Sequence, residues 1–288
     1  MSDHPGLSWF RESEAGSAWL DRLPRLVEEC AEQWALDLGE PFAYAFASLA
    51  LPAVRQDGSE AVLKIQFPDH ESELEAAALA HWEGDGAVRL YEYDADRRAL
   101  LIERCRPGTP LKELRADDAL DFFVDLLPRL WRSASSPFRA LGDEAAWWAG
   151  SLPEDFERAG RPFEQELFDE ALDAMRTLSA TQGEQVLVNQ DLHADNVLRA
   201  RREPWLVIDP KPLVGEREFG IAAIVRGGEL GHSHEAVLHR LDRLTDELHL
   251  DRDRARRWAL AHTIAWALDN GEVEPEHVEV ARWLSEAR

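Results

Sequence analysis

The strongest constraint on the fold lies between residues 185 and 212, where short β-forming segments interrupt a half of the chain otherwise patterned for helix. Residues 185–188, 196–200 and 205–208 read as strands, the last two joined by the polar turn Arg201-Arg202-Glu203-Pro204. Within this island run Val188-Asn-Gln-Asp-Leu-His-Ala-Asp-Asn-Val-Leu198 and Trp205-Leu-Val-Ile-Asp-Pro-Lys-Pro212. Asp191 falls in a loop, Asn196 follows five residues later, and Asp209 closes the next strand. Apolar packing thus fixes the backbone while oxygen-bearing heads project from it. That donor set suits a divalent ion of the Mg²⁺ type, which takes hard oxygen ligands and shares its shell with phosphates. Asp191 is then left to accept or orient a hydroxyl proton. Turn or capping duty for Asp191, Asp195 and Asp209 is the plainer alternative.

The remainder of the chain divides into two patterns. Residues 17–36 carry Trp19, Leu23, Leu26, Val27, Cys30 and Trp34 at helical spacing, with a restart at Pro24 allowed. Strand patterns follow at 42–46, 49–55 and 61–67, the last two joined by an Asp57-Gly58 turn. A helix is predicted over 71–83, stopped by Gly84-Asp85-Gly86, and two more strands over 88–93 and 99–102. Arg106-Pro-Gly-Thr-Pro110 reads as a linker. Beyond it, helical periodicity covers 117–131, 163–178 and 233–288, with breaks near Asp251 and Pro275. The expected class is α+β: a five-stranded antiparallel sheet with one main helix in an N-terminal domain, 1–105, then a mostly helical domain, 106–288, carrying a small β-hairpin.

Charge and cysteine content narrow the function classes. The formal charge of −24 over 288 residues repels phosphate backbones and anionic lipid heads, so neither nucleic acid nor membrane is an expected partner. Cys30 and Cys105 are too few for a disulfide framework and too far apart for a zinc pair, which fits a reducing cytoplasm. The N-terminus shows no secretion signal, and no apolar run is long enough to span a membrane. A monomer or weak homodimer is expected.

Only three lysines occur among 32 basic residues: Lys64, Lys112 and Lys211. Lys64 stands inside the apolar strand 61–67, where a buried ammonium is costly unless it meets an anion; a solvated edge-strand position is the alternative.

These segments resemble the catalytic loop and metal-binding aspartate of the protein-kinase-like fold, in the form used by aminoglycoside phosphotransferases. The similarity is greatest to the streptomycin 6-phosphotransferase and hydroxyurea kinase branch, through Gln-Asp-Leu-His-x-Asp-Asn-Val-Leu-Arg and Ile-Asp-Pro-Lys-Pro. The resemblance implies two lobes, ATP and Mg²⁺ as cofactors, and transfer of a phosphoryl group to a hydroxyl of an aminocyclitol such as streptomycin, or of hydroxyurea. It makes Asp191 the catalytic aspartate and Asn196 and Asp209 the metal ligands. Lys64 becomes the phosphate-binding lysine and Glu75 its ion-pair partner, with Glu71 and Glu73 as alternatives. Ser48 is the sole polar side chain of the phosphate-covering turn, and backbone groups of Glu103 and Cys105 would meet adenine. Glu216 and Glu218 are candidates to contact a cationic or polyhydroxylated acceptor.

The chain departs from the family pattern at three points. Asn189 replaces a histidine, the phosphate-covering turn lacks glycine, and Gly220 stands where an aspartate is expected. The rival readings are a kinase of an endogenous small metabolite and a nucleotide-binding protein of the same fold without catalysis.

Overall fold

The computed structural model describes residues 4–43, 46–269 and 272–287. A 3₁₀ segment, Pro5–Glu12, precedes α1 (Glu14–Gln33), β1 (Asp37–Leu38), β2 (Ser48–Val54), β3 (Glu60–Gln66), α2 (Glu75–Trp82), β4 (Leu90–Asp94) and β5 (Ala99–Glu103). Then come α3 (Ala116–Leu130), α4 (Leu141–Arg158), α5 (Gln165–Ser179), β6 (Gln185–Asn189), β7 (Val197–Arg199), β8 (Trp205–Val207) and β9 (Pro212–Glu216). The chain ends with α6 (Ala222–Arg226), α7 (His234–Glu247), α8 (Arg252–Ala265), β10 (Leu268–Asp269), β11 (Glu272–Val273) and α9 (Pro275–Glu286). It separates into two compact units, the first Met1–Gly108 with Arg199–Asp209, the second Thr109–Leu198 with Pro210–Arg288.

In the first unit, five antiparallel strands lie in the order β1-β2-β3-β5-β4. Period-two alternation puts Leu49, Leu51, Leu63 and Ile65 on one face, and α1 covers it with Trp19, Leu20, Leu23, Leu26 and Val27. The helix runs through Pro24 without a restart. Pleating sends Lys64, between Leu63 and Ile65, to the other face, toward α2. α2 ends where Glu83 and Gly84 take left-handed φ values of 52° and 84°.

The returning segment 199–209 is tied to this unit by Arg202. Its guanidinium donates to Glu103 Oε1 and Oε2 at 2.9–3.0 Å, to the Gly84 carbonyl at 2.6 Å and to the Ala87 carbonyl at 2.8 Å. Val207 adds a parallel bridge to Ala87.

The strand expected over 42–46 is not formed at Phe42, Ala43 or Phe46, while Tyr44 and Ala45 lie outside the described residues. Phe42 and Phe46 are 39% and 74% exposed, so alternation there has no core to face, and Asp37–Leu38 supplies the edge strand instead.

The second unit is organised around α8, which packs against α5, α6, α7 and α9. Its residues Ala255, Trp258, Ala259, Leu260, Ala261 and Ile264 are buried on nearly every side, so its sequence is less amphipathic than that of a surface helix. Helix α4 was not evident from periodicity, because Gly142, Gly150 and Pro153 interrupt its apolar face. β9 was also missed; it pairs with β6 from Gln185↔Glu216 to Asn189↔Pro212 and sets the base of the loop holding Asp191. No described helix is long and apolar enough to cross a membrane.

Candidate active site

In the first unit, Lys64 is 6% exposed and its Nζ donates to Glu75 Oε2 at 2.6 Å and to Asp209 Oδ1 at 2.7 Å. Glu75, the first residue of α2, is fully buried; Gln66 Nε2 also donates to its Oε2, at 2.6 Å. Of the three glutamates considered for Lys64, it is Glu75 that the helix start places there. Burial drives the Glu75 carboxyl up to about 7 against the pull of Lys64. Burial also works against the Lys64 charge, but Asp209 and Glu75 together hold its ammonium above the ordinary lysine value. Asp209 has φ 52°, a left-handed conformation that Asp tolerates better than most residues and that recurs at functional sites.

The other nucleotide candidates lie in this unit. Ser48 opens β2 opposite Gln66 and is half-buried. The Glu103 carboxylate is occupied by Arg202, and its N–H donates to the Arg89 carbonyl at 2.8 Å. Burial, reinforced by Glu103, pushes the Cys105 thiol up to about 12, which favours the neutral thiol over the thiolate.

In the second unit, the loop of Asp191 is fastened at its base by Asn189. Asn189 Oδ1 accepts from the backbone N–H of Asp191 at 3.0 Å and of Lys211 at 2.9 Å, and Gln190 N–H donates to the Lys211 carbonyl at 3.0 Å. An uncharged amide therefore does the loop-holding work at the position where the family pattern has histidine. The Asp191 carboxylate has Lys211 Nζ at 3.2 Å from Oδ2, with His193 Nε2 at 3.6 Å and Arg226 Nη2 at 4.0 Å from Oδ1. Asn196 Nδ2 donates to the Asp191 carbonyl at 3.1 Å; a carbonyl can only accept, so the amide nitrogen faces it and the Asn196 oxygen points the other way. Asn196 thereby offers an oxygen ligand, as a hard divalent ion requires. Lys112 anchors Asp195 at 2.6 Å.

One expected acceptor contact, Glu216, is engaged in the fold instead. Glu216 is 1% exposed and receives Arg254 Nε at 2.7 Å, the Gly183 N–H at 3.0 Å and the Trp258 indole N–H. It fastens β9 to α8 and is not available to a cationic acceptor. Glu218 accepts from the Asp251 N–H at 3.4 Å, at the start of α8. Gly220 also has a structural reason: a Cβ there would lie 2.7 Å from Trp131 Nε1, so the indole fills the space an aspartate would need.

Arg202, Lys211, Arg226 and Trp266 were assigned no site role by sequence reasoning. The scarcity of lysine was a usable signal for Lys211; nothing in the sequence marks the others among so many arginines and tryptophans.

A profile described as aminoglycoside/hydroxyurea antibiotic resistance kinase matches residues 33–273. The chain belongs to this family. It is 39% identical over 276 residues to the hydroxyurea phosphotransferase of Kitasatospora aureofaciens, covering 93% of this chain and 79% of that protein. It is 35% identical over 284 residues to the streptomycin 6-kinase of Streptomyces griseus, covering 94% and 92%. Among solved structures it is similar to a thermostable mutant of aminoglycoside phosphotransferase APH(4)-Ia in ternary complex with AMP-PNP and hygromycin B, with a TM-score of 0.62, 14% identity and coverage of 90% and 95%. The fold is protein-kinase-like, and the chain is a phosphotransferase acting on hydroxyl groups.

Proposed function

We propose that the chain transfers the γ-phosphoryl of ATP to a hydroxyl of a small molecule, with hydroxyurea or an aminocyclitol of the streptomycin type as acceptor. The observation that carries the site assignment is the ion pairing of buried Lys64 with both Glu75 and Asp209. In this reading Lys64 orients the nucleotide phosphates, and Glu75 and Asp209 hold its ammonium in place. Asn196 and Asp209 would hold Mg²⁺, which supplies neutralisation of charge on the β- and γ-phosphates when bound. Asp191 receives and orients the acceptor hydroxyl, so positioning carries most of the acceleration.

The charge pattern favours a neutral acceptor of the hydroxyurea type over a polycation. Lys211 and Arg226 stand beside Asp191, and Glu216 is engaged elsewhere. The test is Mg²⁺-dependent ATP consumption against hydroxyurea, streptomycin, other aminoglycosides and small polyols, with Asp191→Asn and Asp209→Ala alongside. Acceptor-dependent turnover that both variants cut steeply, to a small but measurable residue, is expected. Turnover unaffected by either substitution would refute the site.

A further inference from the structure

We propose that Lys211 is a positioning residue for phosphoryl transfer, acting through Asp191 to fix the direction in which that carboxylate presents its oxygens to the acceptor. The inference rests on Asp191 being the acceptor-facing carboxylate. Three features of Lys211 support it.

Its backbone is bound into the catalytic loop on both sides, by Asn189 Oδ1 at its N–H and by the Gln190 N–H at its carbonyl. Lys211 therefore moves with Asp191 as one body. Its ammonium lies 3.2 Å from Asp191 Oδ2 and 4.7 Å from the centroid of the Trp266 ring, so the aromatic face holds the cation while the carboxylate accepts from it. The side chain is 18% exposed, which limits the freedom of both heads.

Arg226 shares the brace. Its guanidinium lies 4.4 Å from the same Trp266 centroid, 3.2 Å from His262 Nδ1 and 4.0 Å from Asp191 Oδ1. Asp191 is thus approached by one cation at each oxygen, and both cations are steadied by one indole. This explains a lysine in a chain that uses arginine at nearly every other basic position. A guanidinium would be broad and planar where Arg226 and Trp266 already crowd Asp191, whereas an ammonium is a compact point charge.

The test separates this role from nucleotide binding and from simple structural support. Lys211→Met should lower kcat about 100-fold, the scale of a misplaced catalytic group. The dissociation constant for AMP-PNP should stay within about twofold, because Lys211 acts on Asp191; a tenfold weakening would place it on the nucleotide and overturn the proposal. In a double-mutant cycle, Asp191→Asn/Lys211→Met should be no slower than Asp191→Asn alone, within about twofold. Multiplying losses would refute action through Asp191. A single Asp191→Asn variant that keeps wild-type turnover would instead overturn the Asp191 assignment itself. Lys211→Cys, assayed before and after alkylation with bromoethylamine, keeps the test independent of folding, since both states share one folded chain. Recovery of at least about tenfold in kcat on alkylation is expected, with no gain in similarly treated wild-type protein. Absence of recovery would count against the role of the ammonium.

Discussion

Lys64 and Glu75 form a buried pair whose structural and chemical roles can be separated by substitution. Replacing Lys64 with Met leaves a fully buried Glu75 carboxylate without its cation, and breaking such a pair from one side costs about 3–5 kcal/mol. Replacing both partners with Met removes the stranded charge, and exchanges of this kind in other buried pairs are neutral or better. One debt is left: Gln66 Nε2 loses its 2.6 Å bond to Glu75 but keeps the Ser72 carbonyl at 3.2 Å, a loss of about 1 kcal/mol. The Lys64→Met/Glu75→Met protein should therefore be about 2–4 kcal/mol more stable than Lys64→Met in urea unfolding followed by tryptophan fluorescence and far-UV circular dichroism together. Both variants should be equally inactive, because neither has the phosphate-binding ammonium. A double variant no more stable than Lys64→Met would refute the coupling, and phosphotransfer restored in the double variant would refute the assignment of Lys64.

Three further outcomes follow from the same geometry. Arg202→Ala removes the clamp on Glu103, Gly84 and Ala87, and should cost about 1–3 kcal/mol in urea unfolding while raising the KM for ATP, since segment 199–209 carries Asp209; unchanged nucleotide affinity would show that the clamp does not position it. Gly220→Ala should destabilise by about 1–3 kcal/mol through the 2.7 Å approach to Trp131, and adding the same substitution to Trp131→Ala should cost much less; equal costs in the two backgrounds would remove the indole as the cause. Burial, followed by Arg226, His277 and Lys211, pushes the His262 imidazole well below its ordinary value, so below pH about 6.5 the unfolded chain takes up a proton that the fold refuses. Stability is then complete above that pH and falls by about 1.4 kcal/mol per unit below it, with His277 adding to the same window; His262→Gln should flatten the fall measured by melting temperature, and an unchanged slope would exclude His262 as its source.

What could be read from the sequence was what depends on near neighbours or on a conflict of type. Asp191, Asn196 and Asp209 stood out as candidates because short apolar strands set them in order, and Lys64 because a charge in an apolar strand demands an anion. Glu75 was named through the family resemblance, with Glu71 and Glu73 as alternatives, and it is the one that meets Lys64. The residues that were missed meet across long stretches of chain. Arg202 closes on Glu103, and Arg226 and Lys211 converge on Trp266, with no local pattern announcing either arrangement. Glu216 was misjudged for the opposite reason: among 56 acidic residues nothing marks the one that is fully enclosed by Arg254, Trp258 and the Gly183 amide. The departures at Asn189 and Gly220 show how a local pattern is weighed against its surroundings. Asn189 needs no charge to accept two backbone N–H groups, and Gly220 is demanded by an indole that occupies the place of a carboxylate. A missing family residue is therefore a loss of function only when nothing nearby has taken over its contacts, and here Asn189 still fastens the loop on which Asp191 and Lys211 meet.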